Sequence, residues 1–267
     1  VTFEGNTASN GAGMYNFGAF GTSNPILTDV VFNANQASFR AGGLYNYGNN
    51  GTSSPTLIDV TFTNNTAGAA GGAIYNDGSY GDSSPTLTRV TFTGNSVNDV
   101  GGAMYNDGYS GRSAPQMTDV IFRNNSTNNM GGALYFNEGD LSATVVNGLF
   151  DSNSPDHVGY NYGGVGTHPS FTNCTFSGAT AQAVRIYFTN DGQTPIAFTN
   201  SIFWGNNGDV TNDDAAVTVT HSIVEEAAYA SGTGNLFADP LFVDAAGGNL
   251  RLQQGSPAID SGDDSAV

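Results

Sequence analysis

Lysine is absent from this sequence of 267 residues, and six arginines are its only strong cations. Set against 23 acidic residues they leave a formal net charge of −17. The summed field repels nucleic acid, anionic membranes and acidic polysaccharides, and leaves cations, neutral glycans and other proteins as partners. A single cysteine, Cys174, excludes an internal disulfide and a cysteine-rich metal site. Within "FTNCTF" it reads as a small buried hydrophobe, because a reactive thiol needs cationic neighbours. No apolar run is long enough to span a bilayer. The opening "VTFEGN" already lies inside a repeat, and the chain reads as a piece of a longer precursor.

Helical patterning is missing as well. The 37 glycines, with many Asn, Ser and Thr, describe turns and short strands. They fall into a period. Phe32, Phe62, Phe92 and Phe122 are thirty residues apart, as are Pro25, Pro55, Pro85 and Pro115, and the "YN" pairs that begin at Tyr15, Tyr45, Tyr75 and Tyr105. One copy runs from Ser-Pro through an apolar stretch such as "TLIDVTFTNN" to a small-residue turn, "GGAIYN" and a Gly/Ser loop. Thirty residues cannot bury an apolar face alone, but stacked copies share one core. Propeller blades need more strands per repeat, and a leucine-rich horseshoe needs a leucine scaffold. The pattern therefore predicts an all-β chain, a single-stranded right-handed parallel β-helix. About nine coils at the ~4.8 Å strand spacing would make a rod on the order of 40 Å long.

Alternation fixes side-chain directions. Val60 and Phe62 point inward, so the phenylalanines form an internal column. Phe-x-x-Asn breaks the alternation and requires a bend, after which Asn35, Asn65, Asn95 and Asn125 stack as an amide ladder. In "GGAIYN" the apolar residue points inward. Tyr15, Tyr45, Tyr75, Tyr105 and Tyr135 then point outward as an exposed file, the expected face for a ligand or partner, with Phe17, Phe20, Tyr47, Tyr80 and Tyr109 on adjoining loops. Asp29, Asp59, Arg89 and Asp119 form a solvated column in which Arg89 relieves the repulsion between acids. The whole chain, 1–267, reads as one domain: regular repeats over 1–136, and shorter, irregular coils over 137–267 with the C-terminal end of the stack.

The pairing of "GGAI" with "FTNN", "FTGN" and "FRNN" resembles the repeats of chlamydial polymorphic outer membrane proteins. The longer form "SSPTLTRVTFTGN" with "GGAMYN", and the tail "DPLFVDAAGGNLRLQQGSPAID", are similar to a broad set of bacterial β-helix repeat proteins. The resemblance implies export to the cell surface or medium, a pectate-lyase-like solenoid, and an adhesive or structural role within a larger protein. Because both ends of the sequence fall within or near rungs, coils are expected to stack end to end, and other surface proteins or copies of the chain, joined end to end or laterally as in an extracellular filament, are the expected partners. The resemblance does not imply an activity, since the same scaffold carries lyases, hydrolases and binding modules.

Chemistry-bearing residues are sparse, and no catalytic residue is assigned. A carbohydrate-active enzyme, either a polysaccharide lyase or a glycoside hydrolase, or a neutral-glycan-binding module on the same fold, is the alternative reading. A glycosidase would need facing carboxylates, for which Asp151 and Asp156, with His157 and Arg185, are the candidates in the irregular part. No cofactor is expected. Asp77, Asp82 and Asp107, beside glycine turns, are weak candidates for Ca²⁺; the earlier copies "NFGAFGT" and "NYGNNGT" lack the acids, which argues against a repeat-wide site.

Overall fold

A computed structural model describes residues 1–161, 168–187, 196–212 and 217–266. The chain is an all-β parallel solenoid. Its three main sheets hold 14, 8 and 5 strands, each pairing in parallel with its counterpart one coil away. Among the described residues there is no α-helix, only a 3₁₀ turn at Asp264–Ala266.

The thirty-residue period becomes register. Phe3 pairs with Phe32, Phe32 with Phe62, Phe62 with Phe92, Phe92 with Phe122, and Phe122 with Phe150. Their rings stack nearly flat, 4.7 Å from Phe32 to Phe62 and 4.6 Å from Phe92 to Phe122. The column continues through Phe176 and Phe203 although those coils are shorter. Each buried ring contributes about 1.5–3 kcal/mol.

Sharp corners come from residues in the left-handed region. Asp29, Asp59, Arg89 and Asp119 have φ between 53° and 56°, which separates the strand Thr56–Ile58 from Thr61–Thr63. Asn64 and Asn124 (φ 54°) make the bend that the broken alternation requires. Glycine is obligatory at the close approaches: a Cβ on Gly72 would stand 2.1 Å from the Gly102 carbonyl oxygen, and one on Gly102 2.2 Å from that of Gly132.

The amide ladder is present. Asn35 Nδ2 donates to Asn65 Oδ1 (2.9 Å), Asn65 to Asn95 (3.0 Å), Asn95 to Asn125 (2.9 Å) and Asn125 to Asn153 (2.9 Å). Each Nδ2 also donates to a phenylalanine carbonyl, as Asn95 does to Phe62 O at 3.0 Å, so both amide hydrogens are used. His157 ends the series, with its Nδ1 3.1 Å from Asn153 Nδ2 and its Nε2 3.1 Å from Asn206 Oδ1.

A second ladder runs through the asparagines after the tyrosines. Asn46 donates to Asn76 and Asn76 to Asn106, both at 2.8 Å. Ser53, Ser83 and Ser113 are fully buried behind it, and the Ser83 and Ser113 hydroxyls donate to the serine carbonyl one coil away. Alternation from an outward Tyr turns these asparagines inward, where only another amide satisfies them.

Cys174 is buried where Gly148 leaves room one coil away; a Cβ on Gly148 would sit 3.1 Å from its sulfur. Burial pushes its thiol up to about 12, in keeping with an inert filler. Arg89 binds Asp59 with two hydrogen bonds, of 2.6 and 2.8 Å, in the exposed column. The last coils pair Ile202 with Ile223 and Ile223 with Leu236. The tail does not extend the stack. Phe242–Asp244 and Asn249–Leu252 form an antiparallel hairpin, and the chain beyond it is held at a coil flank by reciprocal bonds between Asn200 and Asp263, 2.7 and 3.0 Å.

Candidate functional site

The tyrosine file points away from the main core, as alternation predicts, but it is not exposed. Tyr15 is 43% exposed, while Tyr45, Tyr75, Tyr105 and Tyr135 lie between 2% and 9%. A corner column covers them: Arg40, Ala70, Val100 and Met130 pair in register, and Ala70 and Met130 share a buried cluster with the tyrosines. The rings pack on one another, stacked at 4.7 Å from Tyr75 to Tyr105 and edge to face at 5.1 Å from Tyr45 to Tyr75. Beyond Tyr135 the column position passes to Gly159, where a Cβ would stand 2.8 Å from the Tyr135 ring, and then to Arg185. A second apolar seam therefore occupies the face expected to take a ligand.

Its polar edge is different. Asp77 and Asp107 are register neighbours on the strand after the tyrosines, in the column Phe17, Tyr47, Asp77, Asp107, Asn137, Asn161. Tyr45 Oη donates to Asp77 Oδ2 at 2.9 Å, and Tyr75 Oη to Asp107 Oδ2 at 3.1 Å. Burial, and next the neighbouring aspartate, hold the Tyr45 hydroxyl far above its ordinary range; burial and then Tyr105 do so for Tyr75. Burial also raises the Asp107 carboxyl, against the opposing bonds from Tyr109 N and Asn137. Arg40 places its guanidinium 4.8 Å from the centre of the Tyr75 ring, a cation–π contact that also counters the two aspartates.

Arg40, Tyr47, Asn49, Asp77, Tyr80, Asp107, Tyr109 and Asn137 line an open groove of about 400 Å³. The sequence offered no repeated signal for Arg40, since its column otherwise holds small or apolar residues; the groove aromatics were visible only as loop residues.

The calcium candidates do not converge as a set. Asp77 and Asp107 share the groove, whereas Asp82 accepts from Ser84 and lies 3.5 Å from Arg112. Among the described residues no three His, Cys, Asp or Glu side chains group as a metal would require.

The candidate catalytic residues part ways. Asp151 is paired with Arg123 at 2.8 Å and accepts from Ser152. Asp156 is fully buried, with Oδ2 3.2 Å from Gly131 N and Oδ1 without a hydrogen-bond partner among the described residues. Burial pushes its carboxyl up to about 6. His157 is the ladder's end, pushed down to about 3 by burial, and Arg185 reaches the Asn129 carbonyl at 3.4 Å. Each group is engaged in holding the coils, and the two aspartates have different partners.

Residues 59–77 and 119–137 match the Chlamydia polymorphic membrane protein repeat. Both segments begin at the left-handed aspartate, contain the Phe-x-x-Asn corner and end beyond the Tyr, so the matched motif is the ladder-building part of a coil. No curated protein and no solved structure matches the chain.

Proposed function

We propose that this chain is a rigid, non-enzymatic rod of an exported bacterial surface protein, serving adhesion or extracellular structure. The matched repeat belongs to outer-membrane and surface proteins that are generally non-enzymatic. The observation that carries the reading is the unbroken ladder from Asn35 to His157: the conspicuous polar residues of the interior are spent on joining coils, and such a column resists bending and unwinding. We also infer right-handed winding, about nine coils and a single domain over 1–267, the count resting on the continuation of the stack through Ile223 to Leu236.

Antibody raised against the purified chain should label intact cells of the source organism, and external protease should remove the label. Labelling only after permeabilisation would overturn surface display. Release of reducing sugar or unsaturated product from a panel of plant and bacterial polysaccharides, at rates above a heat-treated control, would overturn the non-enzymatic reading.

A further inference from the structure

The loops over the groove are where the copies diverge while the scaffold stays constant. They read "NFGAFGT", "NYGNNGT", "NDGSYGD" and "NDGYSGR". Variation there leaves both amide ladders untouched, so groove chemistry is independent of the fold. In the third and fourth copies the tips bring up Tyr80 and Tyr109, 56% and 46% exposed, packed edge to face at 5.5 Å. Adjoining aromatic rings held half in water offer flat apolar faces to a ligand. Beside them, rather than further apolar residues, lie the carboxylates of Asp77 and Asp107, the amide of Asn137 and the Arg40 guanidinium.

That polar floor is preorganised. Asp77 is fixed by Tyr45 Oη and Ser79 N, and Asp107 by Tyr75 Oη, Tyr109 N and Asn137 Nδ2. Carboxylate oxygens accept more than one hydrogen bond, so these contacts set the orientation without exhausting the acceptors. Two carboxylates facing one guanidinium leave an excess of negative charge, in a chain whose whole field is negative, and this disfavours acidic sugars and phosphate. A purely apolar ligand would strand the acceptors. What matches exposed rings beside fixed acceptors and a donor is a molecule with an apolar C–H face and a belt of hydroxyls. Register neighbours one coil apart repeat at about 4.8 Å, close to the advance of one sugar unit in an extended glycan.

We propose that the groove binds a neutral hexopyranose chain, with one sugar held in the corner made by the perpendicular rings of Tyr80 and Tyr109 and hydroxyls on Asp77, Asp107, Asn137 and Arg40. The inference gives the surface rod a ligand and rests on that reading only for where the ligand is met.

The test is calorimetric titration of the purified full chain with cellohexaose, mannohexaose, laminarihexaose and chitohexaose, and with hexagalacturonate as the acidic counterpart. At least one neutral hexaose should bind with Kd below about 1 mM and hexagalacturonate should not. Tyr80→Ala with Tyr109→Ala should weaken that binding about tenfold or more with an unchanged melting temperature. Asn49→Arg, filling the groove mouth from a loop, should weaken it independently. No neutral binding at about 10 mM, binding of the acidic hexaose alone, or undiminished binding in both variants would each overturn the site. Surface display is read separately by antibody labelling, so a displayed rod that binds no sugar overturns this inference alone.

Discussion

Asn153 Nδ2 and His157 Nδ1 lie 3.1 Å apart, so an imidazole accepts the bond that a further asparagine would have accepted. The ring then donates from Nε2 to Asn206, the arrangement that the neutral Nε2–H tautomer satisfies. Burial holds the folded pKa near 3, against 6.5 in the unfolded chain. Between these values the unfolded state binds the extra proton, so this residue's contribution to stability is full above pH 6.5 and is lost as pH falls toward 3. His157→Gln removes that dependence. Urea unfolding of both proteins from pH 6.5 to pH 4 should show their difference changing by about 1.4 kcal/mol per pH unit; a constant difference refutes the assignment.

Asp156 works in the opposite sense. Its folded pKa is raised to about 6 from 3.8, so the folded state holds the proton more tightly between those values. Its contribution is most favourable below pH 3.8, declines as pH rises to about 6, and stays low above that. Asp156→Asn mimics the protonated carboxyl and retains an acceptor for Gly131 N. It should be more stable than the parent by about 1–3 kcal/mol at pH 7.5 and indistinguishable near pH 4, as measured by denaturant midpoints.

The centre of the ladder should be its most sensitive part. Asn95→Ala leaves the Asn65 side-chain amide and the Asn65 backbone N–H without their acceptor and deprives Phe62 O of its donor. The expected loss is roughly 2–4 kcal/mol. Asn95→Asp keeps the acceptor but buries a charge, so it should be worse than Ala at pH 8 and recover at low pH. Equal cost for the two variants at both pH values would refute a hydrogen-bonded column.

Gly72→Ala should be more damaging than any of these substitutions, because its new carbon would meet the backbone of the next coil, which cannot rotate away. We expect loss of more than about 3 kcal/mol or failure to fold. Gly5→Ala, in the left-handed region (φ 63°) but with nothing within 4 Å among the described residues, should cost far less. Comparable circular dichroism melts for both variants would contradict the close approach.

The division between what could and could not be read in the sequence follows from repetition. Phe62, Asn65 and their copies recur every thirty residues, and a parallel stack turns recurrence directly into contact. The direction of Tyr75 followed from alternation, but its burial did not: the cover is built from Ala70, Val100 and Met130 at the preceding turn, whose projection depends on a corner angle. Asn76 was within reach, since an outward Tyr implies an inward Asn. Arg40 was not, because it occurs once in its column and no period marks it. The strands of the tail were legible, but their antiparallel pairing was not, because a hairpin and a parallel coil present similar alternation.

One consequence of the register concerns inheritance rather than stability. The strand pairs and ladder bonds of the regular region recur at a fixed interval, so unequal exchange between neighbouring copies of the coding sequence would delete or add one whole coil and leave both ladders continuous. Length is then a quantity that recombination can tune in single steps. The groove is not copied in this way, since Arg40 and the tyrosine tips belong to particular coils. Such an exchange would change how far the rod extends and how its one distinctive surface is spaced along it, without a new interior having to be invented.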